Sequence, residues 1–146
     1  MNNNLQIYTD GACRVSVGQG GLGIVWIKDG IKIKDYSKAF RKATNNQMEL
    51  YAVILALRSI QSPIHSLTIF SDSMYVIGCA SMGWSRKKNK SLWKQFDDML
   101  QQAQRYCETP IVFTHVAGHA DNVYNNLCDT LANNASKEFL GNPSDN

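Results

Sequence analysis

The sequence predicts an α/β domain built on a five-stranded mixed sheet, with three antiparallel strands and two parallel ones, flanked by helices. Two observations support this fold class. The first forty residues hold three apolar or alternating runs separated only by turn signals, a pattern typical of an antiparallel meander. After residue 44, apolar runs alternate with segments of helical spacing, and strands separated by helices pair in parallel through right-handed crossovers. The predicted order is β-β-β-α-β-α-α-β-α.

The meander is predicted from three strands over residues 5–13, 22–28 and 31–38. A glycine-rich turn at residues 18–21 separates the first two strands, and Asp29-Gly30 is a strong hairpin signal before the third. In the third strand, Ile31 and Ile33 are expected to face inward, while lysines alternate with them on the outward side. A lysine-rich alternating strand is typical of a sheet edge.

Thr44 is predicted to begin a central helix, because its side chain can cap the helix and Gln47, three residues later, can complete a capping box. Apolar residues then follow two helical rows to about residue 60, which is typical of a helix buried in the middle of a domain. Glu49 interrupts this apolar pattern. The ordinary interpretation is a carboxylate near the positive end of a helix.

Shorter signals predict the remaining elements. Residues 66–71 form a buried strand that ends at Asp72, and Ser73 can cap a short helix after it. The basic stretch 83–90 is expected to be irregular. We then expect a helix from Ser91, a strand over residues 110–116, a polar loop over 117–122 and a final helix over 123–139.

Composition is that of a soluble globular protein, with 44% apolar and 18% charged residues. We expect one domain over residues 1–140 and a flexible tail over 141–146. Fifteen Lys and Arg against twelve Asp and Glu give a net charge of +3, which permits an anionic partner. The start has no signal-peptide pattern and no run is long enough to span a membrane, so we expect a cytoplasmic protein with reduced cysteines. We also expect it to be a monomer. A zinc site built from the cysteines and histidines lacks ligand spacing.

Four carboxylates stand where the surrounding pattern is apolar or where a strand ends: Asp10, Glu49, Asp72 and Asp129. Unpaired buried carboxylates are costly, and no Lys or Arg stands regularly beside them. If they converge at one end of the sheet, they form an oxygen-rich site for Mg²⁺ or Mn²⁺. A pair of such ions supports phosphodiester cleavage. The alternative is four separate helix caps and surface acids.

Three polar residues are further candidates. His119 lies on a glycine-flanked loop ten residues before Asp129, where its near-neutral pKa suits proton transfer, although an ordinary surface histidine is the alternative. Asn45 and Asn46 either begin the helix or hydrogen-bond a sugar–phosphate backbone or a 2′-hydroxyl.

Four segments carry a resemblance to a known family. They are Tyr-Thr-Asp-Gly-Ala-Cys at 8–13, Thr-Asn-Asn-Gln-Met-Glu-Leu at 44–50, Ser-Asp-Ser-Met-Tyr-Val at 71–76, and Gly-His-Ala at 118–120 with Cys-Asp-Thr-Leu-Ala at 128–132. In this order and over nearly the whole chain, they resemble type I ribonuclease H. The resemblance implies a ribonuclease H-like fold and endonucleolytic cleavage of the RNA strand of RNA–DNA hybrids. It also implies 5′-phosphomonoester products and two Mg²⁺ ions, or Mn²⁺ in their place.

The resemblance also implies residue roles. It assigns metal binding to Asp10, Glu49, Asp72 and Asp129, and proton transfer or product release to His119. It brings Cys13, Asn45, Asn46 and Ser73 or Met74 to the minor groove of the hybrid. The segment 84–90 stands where some members carry a long basic protrusion, so Arg86, Lys87, Lys88 and Lys90 are expected to be a reduced version of it that neutralises phosphates, with an ordinary solvated charge run as the alternative. Trp84, Lys87 and Lys88 are the substrate-contact candidates of this segment.

The sequence departs from the family pattern at several positions. Val15-Ser16-Val17-Gly18 replaces the usual Gly-Asn-Pro-Gly, so a backbone contact normally made by asparagine falls to Ser16. Met74 stands where glutamine is frequent, Ala117 where a basic residue is common, and Asn126 where glutamate is frequent.

Two other classes of protein compete with the enzyme. A hybrid- or duplex-binding module with weak or lost catalysis would be expected to lack at least one metal carboxylate, and all four are present. A protein-interaction domain is supported only by the Trp- and Lys-rich segment 84–90.

Overall fold

The computed structural model describes residues 3–117 and 122–139, and its elements follow the predicted order. The predicted tail at 141–146 lies outside these residues and stays a prediction. The bounds are β1 (Asn4–Arg14), β2 (Gln19–Lys28), β3 (Ile31–Phe40), α1 (Asn45–Arg58), β4 (Ser66–Ser71), α2 (Met74–Ser81), α3 (Lys90–Gln104), β5 (Val112–His115) and α4 (Val123–Ser136).

The strands form one five-stranded sheet in the order β3-β2-β1-β4-β5. The pairs β1–β2 and β2–β3 are antiparallel, whereas β4 runs parallel to both β1 and β5. The predicted mixed sheet is therefore confirmed. Thr9 of β1 lies opposite Ser71, the last residue of the parallel strand β4. The next residues along the chain, Asp10 and Asp72, therefore lie at the same end of these two neighbouring strands.

Helices pack on both faces of the sheet. Ile7 belongs to a core cluster that includes residues of α1, α2 and α3, whereas the next residue, Tyr8, belongs to a second cluster with Cys128 of α4. This alternation is expected, because successive side chains of a strand point to opposite faces. The helix α1 carries eight buried residues, as its apolar sequence predicted.

Both predicted helix caps are present. The Gln47 N–H donates to Thr44 Oγ1 at 3.2 Å, and the Thr44 N–H donates to Gln47 Oε1 at 3.0 Å, which completes the capping box. Ser73 caps α2 by accepting a hydrogen bond from the Val76 N–H at 3.1 Å. These caps satisfy N–H groups that the first turn of a helix leaves without partners.

The prediction of a glycine-rich turn at residues 18–21 was partly wrong, because Gly20 and Gly21 lie inside β2. A Cβ atom at Gly21 would lie 2.4 Å from the carbonyl oxygen of Ala132 in α4. Glycine is therefore needed here for close packing of a helix on a strand, and only Gly18, with φ of 69°, serves the turn itself.

The inward orientation predicted for Ile31 and Ile33 was wrong, since these side chains are 69% and 52% exposed. The β2–β3 register shifts between Ile27, which lies opposite Lys32, and Trp26, which lies opposite Lys34. This bulge leaves Ile33 without a partner and interrupts the alternation of the strand. After the bulge, the Lys34 ammonium lies 4.3 Å from the centroid of the Trp26 ring.

Smaller differences concern the ends of elements. The last strand is shorter than predicted, α3 begins one residue earlier, and α4 ends at Ser136. The four cysteines are free thiols, and Cys79 and Cys128 are buried. No helix within residues 3–117 and 122–139 is long and apolar enough to cross a membrane.

Candidate active site

Three of the four predicted carboxylates meet at one end of the sheet. Asp10 lies in the central strand, Glu49 in the buried helix α1, and Asp72 directly after β4. One carboxylate oxygen from each lies within 4.8 Å of the others. Asp10 and Glu49 are only 4% and 7% exposed, so this cluster holds acidic groups that water hardly reaches.

Gly11 brings α1 close to β1 at this point. A Cβ atom there would lie 2.4 Å from the Glu49 backbone nitrogen and 2.5 Å from the Met48 carbonyl carbon. The Gly11 N–H donates to Asp10 Oδ1 at 2.9 Å and also to Glu49 Oε1. One glycine thus permits the contact between strand and helix and hydrogen-bonds both carboxylates.

The pKa values of both Asp10 and Glu49 are raised, as expected for buried acids without enough positive charge around them. The pKa of Asp10 is raised to about 7, chiefly by burial; the hydrogen bond with Glu49 lowers it, and the negative charges of Asp72 and Asp129 contribute to the rise. Burial also raises the pKa of Glu49 well above its usual range, and its hydrogen bond with Asp10 and the neighbouring negative charges add to this. A divalent cation would stabilise both ionised forms.

Asp129 lies outside this cluster of three, on the exposed side of α4. It is close enough for its charge to raise the pKa of Asp10. Its Oδ1 accepts a hydrogen bond from Asn133 Nδ2 at 3.0 Å, one helical turn later. The helix is held against β1 and β2 by Gly23, whose Cβ would lie 2.5 Å from the Cys128 oxygen, and by the Cys128 thiol, which donates to the Tyr8 carbonyl at 3.2 Å.

The predicted catalytic residue His119 lies outside the described residues. The structure adds a histidine that the sequence did not indicate: His115, at the end of β5, whose Nε2 lies 3.2 Å from the backbone oxygen of Asp72. Its only signal was its place at the end of the last strand. The interaction connects the edge strand β5 to the backbone of Asp72, a residue of the cluster, and does not involve the Asp72 carboxylate.

The candidate substrate contacts near α1 are accessible. Asn45 and Asn46 are exposed in the first turn of α1, and Ser16 is exposed in the β1–β2 turn. Val15 and Val17 on either side of Ser16 are 81% and 51% exposed. Cys13 is half-buried, and its thiol donates to the Ala43 carbonyl at 3.1 Å.

The candidates around α2 fall into two groups. Met74 and Trp84 are 39% and 45% exposed, and Lys87 and Lys88 are also exposed. Ser73 is half-buried, and its hydroxyl is used as the cap of α2.

Comparisons with known proteins agree with this geometry. The family model described as RNase H matches residues 2–137. A ribonuclease H of Clostridium botulinum is 42% identical over 151 aligned residues, which cover 91% of this chain and 95% of that relative. A ribonuclease H of Caldanaerobacter subterraneus subsp. tengcongensis is 37% identical, covering 95% and 96% of the two chains.

The fold also matches solved structures. LC11-RNase H1 in complex with RNA/DNA hybrid superposes with a TM-score of 0.74 at 24% identity, covering 93% of this chain and 99% of the other. The matches in sequence and fold extend over nearly the whole chain and include the strand and helices that bring the carboxylates together. The chain therefore belongs to the ribonuclease H family of enzymes.

Proposed function

We propose that this protein hydrolyses the RNA strand of RNA–DNA hybrids endonucleolytically, with two divalent metal ions, and leaves 5′-phosphomonoester products. The observation that carries the proposal is the convergence of Asp10, Glu49 and Asp72 on one point at a sheet end, with two of them buried. Family membership supports it, as does the RNA/DNA hybrid in the structural neighbour. Removal of R-loops, RNA primers or replication intermediates would be the corresponding cellular task.

The residues fit a pair of hard cations. Carboxylate oxygens are the ligands that Mg²⁺ and Mn²⁺ prefer, and Asp10, Glu49 and Asp72 supply them, with Asp129 as the fourth candidate. When bound, such a pair of ions activates water and neutralises charge on the leaving oxygen. The Gly11 N–H orients two of these carboxylates. The exposed Asn45, Asn46 and Ser16 would hydrogen-bond the sugar–phosphate backbones of the hybrid.

A cleavage panel tests the proposal. The substrates are an RNA–DNA hybrid, duplex RNA, duplex DNA and single-stranded RNA, each with Mg²⁺ and with Mn²⁺. We expect cleavage of the hybrid alone and no cleavage in a metal chelator. Tight hybrid binding without metal-dependent cleavage would instead support the catalytically weak binding module.

Stabilisation by Mg²⁺ is expected to increase with pH. The pKa of Asp10 is raised from its unfolded value near 3.9 to about 7, so the folded protein binds a proton more tightly than the unfolded chain does. The metal-free protein therefore loses stability as pH rises from about 4 to about 7. Bound Mg²⁺ replaces the protons, so the increase in Tm that Mg²⁺ produces should be larger at pH 8 than at pH 5. Equal increases at both pH values would contradict the assignment of the metal to this cluster.

His119→Ala is expected to lower kcat by roughly 10- to 1000-fold, the usual range for a general acid–base group. The affinity for hybrid should barely change, because the histidine would act on a proton rather than bind the duplex. Steady-state kinetics with hybrid at several concentrations separate the two parameters. An increase in KM with kcat intact would make His119 a substrate contact.

Lys87, Lys88 and Lys90 are expected to bind backbone phosphates, because the first two are exposed in the segment between α2 and α3 and the third is exposed at the start of α3. Replacing all three with alanine should raise KM and leave kcat at saturating hybrid near the wild-type value. If two of the three contact phosphate, the slope of log K against log salt should fall by roughly 1.5 to 2 units.

A matched control is available at the other end of the sheet. Lys28, Lys32 and Lys34 lie on the β2–β3 hairpin, so replacing them with alanine removes the same charge far from the carboxylates. The prediction is wrong if the two triple variants have the same KM and salt dependence.

A further inference from the structure

The segment that joins α2 to α3 makes many defined contacts although it has no regular secondary structure. We call residues 83–89 the basic strap. It begins at Gly83, with φ of 73°, and ends at Asn89, which has φ of 58° and precedes α3. Trp84 lies on α2, since a Cβ atom at Gly78 would come within 2.1 Å of its ring. Because residue 78 is glycine, the surface of α2 has room for the Trp84 ring, and this contact holds the first residues of the strap.

Two backbone groups of the strap, the Trp84 N–H and the Ser85 carbonyl, are hydrogen-bonded to the end of α2. The Trp84 N–H donates to the Gly78 carbonyl at 3.1 Å, and the Cys79 thiol donates to the Ser85 carbonyl at 3.7 Å. These bonds place the strap beside α2 before the lysines are reached.

Arg86 holds the middle of the strap, and protein groups engage its guanidinium. Its Nη1 bonds both carboxylate oxygens of Asp97 at 2.9 Å, and its Nε donates to the Cys79 carbonyl at 3.1 Å. The guanidinium also lies 4.4 Å from the centroid of the Trp93 ring. Arg86 therefore connects α2 and α3, and the expectation that it belongs with the phosphate-binding lysines is corrected.

The Tyr75 hydroxyl holds the end of the strap. It donates to the Lys88 carbonyl at 3.4 Å and accepts from Asn89 Nδ2 at 3.1 Å and from Trp93 Nε1 at 2.9 Å. Tyr75 lies only three residues after Asp72, in the first turn of α2. One hydroxyl thus joins the helix that follows a cluster carboxylate, the strap and α3.

We propose that Tyr75 is a positioning residue for substrate binding: through its hydroxyl it holds the strap so that Lys87 and Lys88 meet the hybrid's phosphates at a fixed distance from Asp72. This inference rests on the proposed hydrolysis of RNA–DNA hybrids. A lysine-bearing loop that is already ordered loses less conformational entropy when it binds, so its contacts contribute more to affinity. Tyr75 would then affect affinity without touching the nucleic acid.

Tyr75→Phe tests this, because it keeps the ring and removes only the hydroxyl. We expect KM for a short hybrid to rise about 2- to 10-fold and kcat at saturation to stay unchanged. This increase in KM corresponds to the entropy cost of ordering one or two side chains on binding. In the background of the alanine triple variant of Lys87, Lys88 and Lys90, the same change should leave KM unaltered. Tyr36→Phe, at an exposed tyrosine of β3, is the matched control and should leave KM unchanged.

Asn89→Gly is a second variant in case Tyr75→Phe folds poorly, since it removes one partner of the hydroxyl at a backbone position that glycine favours. It should raise KM in the same way. Equal increases in KM for Tyr75→Phe with and without the three lysines, or a fall in kcat alone, would overturn the inference.

Amide hydrogen exchange at residues 84–88 is measured on the protein without nucleic acid. Exchange there should be faster in Tyr75→Phe than in wild type, and unchanged exchange would also overturn the inference. Absence of hybrid cleavage by the wild-type protein would instead contradict the proposed function, so the two failures are distinguishable.

Discussion

Asp10→Asn is expected to reduce hybrid cleavage by about 1000-fold or more and, at the same time, to stabilise the metal-free protein. The amide keeps the shape of the side chain but removes the charge that binds the metal ions, which contribute several kcal/mol to stabilising the transition state. Asp10 is 4% exposed and lies beside two other acids, so removing its charge also removes repulsion. At pH 8 without metal, we expect a gain in unfolding free energy on the order of 1 to 4 kcal/mol.

Single-turnover cleavage and thermal unfolding with and without Mg²⁺ measure the two effects. Asp98→Asn is the matched control, because Asp98 is an exposed acid of α3 that pairs with Lys94 at 3.6 Å. It should leave cleavage unchanged. Asp72→Asn should lower cleavage as Asp10→Asn does. Wild-type turnover by Asp10→Asn, in protein free of contaminating nuclease, would exclude the metal site.

Gly11→Ala is expected to lower both stability and activity, because it forces α1 away from β1 at the carboxylates. The new Cβ would lie 2.4 Å from the Glu49 backbone nitrogen, where a helix backbone cannot rotate away. Overpacking of this kind costs about 1 to 3 kcal/mol or more. The displacement also moves Glu49 relative to Asp10, and a misplacement of about 1 Å in a catalytic group can cost about 100-fold in rate.

Gly21→Ala separates the two effects. Its Cβ would lie 2.4 Å from the Ala132 oxygen, so it should lose a similar amount of stability and displace α4, which carries Asp129, while leaving the cluster of Asp10, Glu49 and Asp72 in place. Denaturant unfolding and the change in Tm on adding Mg²⁺ compare the variants. Gly21→Ala should keep the Mg²⁺ effect, whereas Gly11→Ala should lose most of it. Full activity in folded Gly11→Ala would show that the contact between strand and helix does not set the site.

Several features of this molecule could be predicted from the sequence because their causes are local. The caps at Thr44 and Ser73 involve residues three positions apart, and the order of strands and helices follows from the spacing of apolar residues. The carboxylates at 10, 49 and 72 were recognisable because an acid within or at the end of an apolar segment needs a compensating charge. The cluster found in the structure agrees with that reasoning.

Other features depended on contacts between distant segments. Gly20 and Gly21 indicated a turn, but they lie in β2, and α4, more than a hundred residues later, is what requires glycine at positions 21 and 23. Arg86 was grouped with its basic neighbours until Asp97 and Trp93 were seen to bind it. Ile31 and Ile33 alternated as an inward-facing pair, but residues 31–38 of the edge strand β3 are all exposed, so alternation along this strand does not mark a buried face.

The sequence by itself thus determined the elements, their order and the chemical type of the site. The tertiary structure alone decided which acids meet closely, which glycines serve packing, and which cations remain available for a nucleic acid. The physical reason is one of range. Caps, turns and helical rows are set by neighbours within a few residues, whereas the approach of Glu49 to Gly11 joins positions 38 residues apart. Such contacts depend on how a helix and a strand pack, and no local pattern encodes that distance.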